Sequence, residues 1–442
     1  MDNLADLRVA LFTDTFAPQL NGVTRTLARL ADALTARGAA VRVVTVDGVG
    51  ADGEMPNGCP SATPPPASPA AALVERWPGV PFWGYPELRL ARPRAVRAAA
   101  LIGEFRPSLV HAATPFGVGL AGRRAARSLG VPLVTSYHTN LSAYATFYGL
   151  GALAAPGWAF LRWFHDGGRR TYAPTYAVAR ELAARDFRHV AVWGRGVDTA
   201  RFAPARRTNA RRAAWGAGAD DVVALYVGRL AREKDVALAL DAVAAARVRL
   251  AGDPRAPRLH LVLVGDGPNE AALRARAPEG TVFAGRLEGD ALAEAYASAD
   301  LFVFPSRTDT LGNVLLEAMA SGLPVLAADA APSRELLGAD VDSALGTSGV
   351  VEAPRGALAP ADPAVLGAAL AALAADPGRR RALGARGRTH AEGQTWRAVF
   401  DALFADYRAV AAGWGGVGPG VALGSPPATL PPSVSPPAPV AR

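Results

Sequence analysis

The chain is poor in two residue types whose scarcity is informative, cysteine and lysine. It has one cysteine, Cys59, in 442 residues, which excludes an intrachain disulfide and a zinc cluster built from several thiolates. A reducing, cytoplasmic setting is therefore expected. Lysine occurs once, as Lys234, among 47 basic residues. A GC-rich coding sequence explains the abundant arginine, so the position of the single lysine is the informative feature.

Other absences narrow the class of protein. The N-terminus has no long apolar run after a basic start, so a cleaved secretory signal is not expected. No charged residue occurs between Ser128 and Leu161, yet the prolines and glycines of that stretch argue against one membrane-spanning helix. Half of the residues are hydrophobic, enough for large cores and two or three domains. The formal charge of +8 favours an anionic partner.

Apolar strand-like runs alternate with helical stretches in two series, which is typical of βαβ units and parallel sheets. The sequence therefore predicts an α/β fold of two doubly wound domains. The predicted divisions are 1–200, with a flexible Gly/Pro-rich insertion at 47–72, then 201–390, a C-terminal helix at 391–412 and a disordered Pro/Gly-rich tail at 413–442. Arg201–Arg212, which is basic, is interpreted as part of the linker.

The segment Val227–Asp235 (VGRLAREKD) holds the single lysine. A strand ends at a glycine, and Arg229 and Lys234 follow, predicted to open a helix. Two cations beside a helix N-terminus can neutralise a diphosphate. A pair of solvated surface cations is the alternative, but the placement of the only lysine on this turn weighs against it.

Two further segments of the second series carry candidate site residues. Leu261–Pro268 (LVLVGDGP) is a strand followed by a tight glycine turn, and it lacks the third glycine of a dinucleotide fingerprint. In Phe302–Pro332, Asp309 and Glu317 flank a helix start. Free backbone N–H groups at 311–314 could bind a phosphate there while the two carboxylates bind hydroxyl groups. A helix-start acid and an exposed helical glutamate are the alternative interpretation.

Taken in order, these motifs resemble those of the retaining nucleotide-sugar glycosyltransferases of family 4, which have the GT-B fold of two Rossmann-like domains facing a central cleft. The resemblance extends through Thr13–Leu27, His111–Ala126, Val131–Asn140 and Val192–Asp198. These patterns look most like those of bacterial GDP-mannose-dependent α-mannosyltransferases that act on lipids, and of the related sulfolipid synthases. The resemblance covers roughly residues 7–410 without the insertion.

The resemblance implies roles for individual residues. Arg229 and Lys234 match the diphosphate-binding pair, Glu317 matches the ribose ligand, and Asp309 stands where glutamate usually touches the donor sugar. His138 matches a histidine near the transferred sugar, while Arg195 and Asp198 match positions of less certain role. The donor-binding residues implied are Asn21, Gly22, Arg229, Lys234, Asp309, Leu311, Gly312, Asn313, Val314 and Glu317, with His138, Arg229, Lys234 and Asp309 catalytic.

Two departures from the family pattern bear on the donor. Asp309 is one methylene shorter than glutamate, and Ala330-Ala331-Pro332 replaces a Gly-Gly-Pro turn. Neither a metal nor another cofactor is expected, because the histidines have no ligand spacing and the short Asp340-Val341-Asp342 pattern arises readily by chance. The two cations would neutralise the leaving diphosphate instead.

The sequence thus predicts a hexosyltransferase that moves a hexose, best mannose from GDP-mannose, to a lipid or glycolipid acceptor. A UDP-sugar-dependent enzyme of the same fold and a non-catalytic sugar-nucleotide-binding relative are the alternatives, and an epimerase of this architecture is disfavoured. A buried strand followed by a loop and a packed helix is one interpretation of residues 128–161. The other is an apolar surface, since the aromatic residues within and after this stretch, with Arg162, Arg169 and Arg170 nearby, suit an anionic lipid surface. We therefore expect peripheral attachment at the inner membrane face and no nucleic-acid partner.

Overall fold

The fold comes from a computed structural model that describes residues 3–17, 19, 22–47, 72–82, 85–138, 154–309, 312–340 and 349–413. Asn21, Leu311, the interior of the 47–72 insertion and nearly all of the 413–442 tail lie outside these residues. Within the described part of the chain, no helix is both long enough and apolar enough to cross a bilayer.

The first half of the chain forms a parallel sheet. Its strands are β1 (Arg8–Phe12), β2 (Ala40–Val46), β3 (Leu73–Trp77), β6 (Leu109–Ala112), β7 (Leu133–Ser136), β8 (Arg170–Ala173) and β9 (Val190–Val192). The seven strands lie in the order β3-β2-β1-β6-β7-β8-β9, and every recorded pairing is parallel. A separate antiparallel hairpin joins β4 (Gly79–Phe82) and β5 (Tyr85–Ala91).

The second half repeats this architecture. Its strands are β10 (Val222–Val227), β11 (Leu259–Val264), β12 (Thr281–Gly285), β13 (Leu301–Phe304), β14 (Val325–Ala328), β15 (Val351–Ala353) and β16 (Gly356–Ala359). They lie in the order β12-β11-β10-β13-β14-β16-β15, and only β15 runs antiparallel to its neighbour. Every residue of β10 and β11 is buried, as expected for strands covered on both faces by helices.

Helices cover both sheets, and most of them connect successive parallel strands. Those of the first half are α1 (Gly22–Thr35), α2 (Ala95–Phe105), α3 (Gly117–Leu129), α4 (Ala154–His165) and α5 (Tyr176–Ala183). Those of the second are α6 (Asn209–Ala214), α7 (Val236–Leu250), α8 (Glu270–Arg276), α9 (Gly289–Ser298), α10 (Asn313–Ala320), α11 (Ala331–Leu337), α12 (Pro363–Ala375) and α13 (Pro377–Gly393). The predicted α/β fold of two Rossmann-like halves is confirmed. We propose a domain boundary near residue 200, between the two sheets.

The segment interpreted as a basic linker is packed rather than solvated. Residues 201–212 contain a short 3-10 helix and the start of α6. Arg212 is buried and donates to Asp300, while Arg211 pairs with Glu294 on α9. Most of the arginines that suggested a basic linker therefore form ion pairs that hold this segment against the second half.

The last helix, α14 (Trp396–Ala411), returns to the first half of the molecule. Its apolar side chains join the core of the first sheet, and two polar side chains are buried with them. Tyr407 contacts His111 Nδ1 through its hydroxyl at 2.6 Å. Asp406 accepts from Tyr172 at 2.7 Å and from Arg170 at 3.3 Å. This polar network ties the C-terminal end of the chain to β6 and β8.

Asp406→Ala is expected to destabilise the protein by about 3–5 kcal/mol, because it leaves the buried guanidinium of Arg170 without its carboxylate. Urea unfolding measures the change. The control is Arg397→Ala on the same helix, whose side chain is 68% exposed and should cost under about 1 kcal/mol. A similar small loss for both variants would contradict this role of Asp406.

Candidate functional site

Three turns of the second half meet at the carboxyl ends of neighbouring strands. They follow β10, β11 and β13, which pair side by side. The glycine turn after β11 packs directly on the turn after β10: a Cβ at Gly265 would lie 1.9 Å from the carbonyl oxygen of Gly228. Leu230 N–H also donates to the Asp266 carbonyl at 2.7 Å. Glycine is thus required for this contact, at the sheet edge where open α/β folds bind ligands.

Lys234 lies on this edge and is hydrogen-bonded to Asp309. Its ammonium donates to Asp309 Oδ1, and the two side chains are 19% and 20% exposed. The turns that carry them are joined again by the Thr308 hydroxyl, which donates to the Glu233 carbonyl at 3.0 Å. The pair brings together the predicted diphosphate cation and the predicted sugar carboxylate.

Lys234 does not open a helix, as the sequence had suggested. It ends a 3-10 turn, Arg232–Lys234, and α7 begins only at Val236 after Asp235, whose φ is +50°. The left-handed residue turns the chain between the two helices. Lys234 therefore acts from a tight turn and not from the first turn of α7.

Arg229 is positioned through its backbone. The buried Tyr226 hydroxyl donates to the Arg229 carbonyl at 3.0 Å. Burial raises the pKa of Tyr226 well above its usual value, and the charges of Asp309 and Glu233 raise it further. The phenol therefore remains a donor, and it holds the start of the turn that leads to Lys234.

The loop after Asp309 leads into α10, whose first turn faces the first half of the molecule. Gly312 precedes the helix with φ +73°, and within the described residues no side chain caps this N-terminus. Asn313 and Val314 are half-buried. Gly22 lies opposite, since a Cβ placed on it would be 3.7 Å from Asn313 Nδ2. Gly22 and Asn313, both implied by the resemblance to bind the donor, therefore lie close together.

Two other helix N-termini are already occupied by carboxylates. The buried Asp14 accepts from Val118 N–H of α3 at 2.8 Å and from the Thr114 hydroxyl at 2.7 Å. Burial raises the pKa of Asp14 to about 6. Glu335 of α11 accepts from the Tyr176 and Ala177 amides of α5 at 2.9 and 2.6 Å. An incoming phosphate would have to displace a carboxylate at either helix, whereas no carboxylate of the described residues caps α10.

Glu317 lies on α10 and accepts from the Tyr296 hydroxyl at 3.0 Å. Burial raises the pKa of Glu317, while Tyr296, Arg25 and Arg29 act in the opposite direction. Both arginines belong to α1 in the first half, and Arg25 also lies 3.6 Å from Glu288. The α1 helix thus faces the carboxylate that the sequence assigned to a ribose.

His138 follows β7 and is fixed by Arg195, which follows β9. Arg195 Nη2 lies 2.8 Å from His138 Nδ1, and the Trp193 ring packs edge-on against the imidazole at 5.5 Å between centroids. Burial lowers the pKa of His138 well below its usual value, and the charge of Arg195 lowers it further. The imidazole is therefore neutral.

The site residues that sequence reasoning missed are those that act across the cleft or from buried positions. No sequence motif indicates the partners of these residues, which are Asp14, Arg25, Arg29, Tyr296 and Glu335. The four-residue spacing of Arg25 and Arg29 was a usable signal for a shared helix face. The Asp198 carboxylate accepts a local hydrogen bond from Arg201 N–H at 3.0 Å, and its charge raises the pKa of Arg29.

The alanine turn before α11 has an ordinary backbone. Ala330 is extended, with φ −154° and ψ 148°, and α11 begins at Ala331. Glycine is therefore not needed there for conformation. In the same part of the chain, Arg334 pairs with Asp329.

Among the described residues, no group of three or more His, Cys, Asp or Glu side chains is arranged to hold a metal ion.

Two family models match the chain, one to each half. "Glycosyltransferase Family 4" matches residues 20–201, and "Glycosyl transferases group 1" matches residues 221–376. The GDP-mannose-dependent alpha-mannosyltransferase of Mycolicibacterium smegmatis is 36% identical over 406 residues, covering 91% of this chain and 98% of the relative. The enzyme of the same name from Mycobacterium tuberculosis is 37% identical, covering 76% of this chain and 82% of the relative.

Solved structures support the fold independently. The sucrose-phosphate synthase of Thermosynechococcus elongatus superposes with a TM-score of 0.66 at 20% identity, covering 92% of this chain and 100% of that structure. The two parallel-sheet halves therefore form a GT-B fold, as the motifs predicted. Together with the near full-length relatives, this establishes that the chain belongs to the family 4 glycosyltransferases and is a hexosyltransferase.

Proposed function

We propose that this hexosyltransferase transfers mannose from GDP-mannose, with retention, to a lipid or glycolipid acceptor at an anionic membrane face. The observation that carries the proposal is the position of the only lysine, Lys234, which contacts Asp309 at the carboxyl edge of the second sheet and lies on the same turn as Arg229. The curated relatives that match nearly the whole chain are named for the GDP-mannose donor, which favours guanosine diphosphate as the leaving group.

The diphosphate would bind between the Lys234 turn and the first turn of α10. The ammonium and the Arg229 guanidinium supply positive charge, and the uncapped amides of Asn313 and Val314 supply hydrogen-bond donors. Asp309 balances the charge of Lys234 in the structure. A bound diphosphate would compete with Asp309 for the ammonium and release its carboxylate toward the sugar hydroxyl groups.

Glu317 would hold the ribose from the same helix. A carboxylate accepts from both hydroxyl groups of a ribose, and the Tyr296 hydroxyl fixes the orientation of this one. Arg25 and Arg29 from the first half lower the pKa of Glu317 against the larger effect of burial. Closure of the two halves would therefore favour the acceptor form of Glu317.

Catalysis would rest on stabilising the departing diphosphate. Negative charge builds on its oxygen as the glycosidic bond breaks, and preorganised cations lower that barrier. The acceptor hydroxyl would attack from the face that the leaving group vacates and pass its proton to the leaving phosphate, so the anomeric configuration is retained. The Glu335 contact with α5 joins the two halves, and a closed cleft would limit the access of water to the reacting sugar.

The membrane proposal is supported by the surface of α4. Trp163 is 46% exposed, and Arg123 lies 3.9 Å from its ring. Arg162 and Arg169 are exposed nearby, but the prediction for Arg170 is wrong, because this side chain is buried and paired with Asp406. Tryptophan and arginine on one surface suit the headgroup region of an anionic leaflet. Residues 139–153 of the apolar stretch lie outside the described residues.

GDP-mannose and GDP are expected to raise the melting temperature more than UDP-sugars at equal concentration. A ligand at 100 times its Kd stabilises the folded protein by about 2.7 kcal/mol. A thermal-shift panel of GDP- and UDP-linked hexoses measures the order. Selective stabilisation by a UDP-sugar would overturn the donor assignment and favour the UDP-dependent alternative.

Lys234→Ala and Arg229→Ala are each expected to lower turnover about 100-fold, because each removes a preorganised donor to the leaving group. Initial rates of GDP release at saturating donor measure this. The matched control is Arg232→Ala, an exposed cation on the same turn, which should keep nearly full activity. Near-normal rates in both site variants, with the fold intact, would refute the diphosphate role.

Charge reversal on the α4 surface is expected to weaken membrane binding. Arg162→Glu with Arg169→Glu should lower the partition coefficient onto phosphatidylserine-containing vesicles at least about tenfold, since each surface arginine contributes about 1 kcal/mol. Co-sedimentation at low salt measures this, and Arg255→Glu, an exposed residue of the second half, is the control. Equal loss in the control, or no wild-type binding, would contradict the proposal.

A further inference from the structure

The contact between Arg195 and His138 constrains the proton on the imidazole. A guanidinium has only N–H donors and no acceptor. Because Arg195 Nη2 lies 2.8 Å from His138 Nδ1, Nδ1 must present its lone pair to that N–H. A neutral imidazole carries one proton, so this proton must be on Nε2.

Arg195 is itself held rigidly. Its Nη1 donates to the carbonyl oxygens of Trp193 and Gly194, each at 3.2 Å, and only 6% of the residue is exposed. The Trp193 ring lies against both partners, 5.2 Å from the guanidinium carbon and 5.5 Å from the His138 ring. Two carbonyls and an aromatic face therefore fix the donor that faces Nδ1.

The position of Arg195 in the chain links this contact to the connection between the two halves. Two residues later, Val197 N–H donates to the Gln394 carbonyl at 2.8 Å, and Val197 pairs with Thr395. A Cβ on Gly196 would lie 2.4 Å from Trp396 N. The guanidinium is thus anchored where the chain crosses from the first sheet to the second.

We propose that Arg195 is a positioning residue that holds His138 as the neutral Nε2–H tautomer, so that the imidazole serves the transferred sugar as a hydrogen-bond donor. The role in the sugar site rests on the proposed function; the tautomer rests on the contact alone. An imidazolium at this position would set an Nδ1–H against a guanidinium N–H, with two positive charges in contact. The arginine therefore opposes protonation as well as selecting the tautomer.

The other titratable groups that lower the pKa of His138 carry no positive charge at physiological pH. They are His111 on β6 and His165 on α4, and burial lowers the pKa of each to about 3. Both rings are therefore neutral at physiological pH. Of the groups that shift the His138 pKa, Arg195 is the one that carries a charge, which makes its replacement a selective test.

The test is nitrogen-15 NMR of the full-length protein labelled at histidine, with activity measured in parallel. The chain has six histidines, and His138→Gln identifies the signals of the ring. The wild type should show a neutral Nε2–H ring from pH 5.5 to 8.5. An Nδ1–H ring or an imidazolium at neutral pH would overturn the proposal. This outcome is read from the spectrum of the wild-type protein.

Arg195→Ala should move the His138 signals toward tautomer exchange and protonation, and kcat should fall at least about tenfold with a new loss of rate at acid pH. Arg195→Lys, which keeps a charged donor, should restore part of both. The control is Arg201→Ala, an exposed arginine further along the same segment, which should leave the spectrum unchanged.

Unaltered His138 signals in folded Arg195→Ala and Arg195→Lys would overturn the positioning role. Such a result would leave the Lys234 test untouched, so the two proposals fail separately.

Discussion

The pairing of one ammonium with one carboxylate organises the proposed donor site at the carboxyl edge of the second sheet. Lys234 and Asp309 come from turns after different strands, and their contact can form only because β10 and β13 are neighbours in the sheet. Neither side chain is fully buried, so the pair remains open to exchange with a ligand. A diphosphate offers more negative charge to Lys234 than one carboxylate does, which gives donor binding a direct electrostatic driving force.

The two halves of the protein meet through polar contacts that lie on several sides of the cleft. Arg25 faces Glu288, and Glu335 binds the first turn of α5. These contacts join the two halves near the carboxyl edges of both sheets, beside the proposed donor site. The return of α14 to the first sheet adds a second connection, and the buried Asp406 network stabilises it.

The fold followed from the sequence because buried parallel strands such as VVALYV and LHLVLV have few alternatives, and the motifs after them identified the family. The edge strands β3 and β15 and the β4–β5 hairpin were not predicted, because they lack a continuous apolar run. Contacts between segments that are distant in the chain could not be predicted from the sequence either. Nothing local connects Glu335 to Tyr176, or Arg195 to His138, since their proximity depends on sheet order and on how the two halves face each other.

A crystal structure of the protein with GDP tests the central claim most directly. The account predicts that the diphosphate contacts Lys234 Nζ and the Arg229 guanidinium, with its oxygens at the first turn of α10 and Asp309 displaced from the ammonium. A nucleotide bound elsewhere, with the Lys234–Asp309 pair intact, would contradict it.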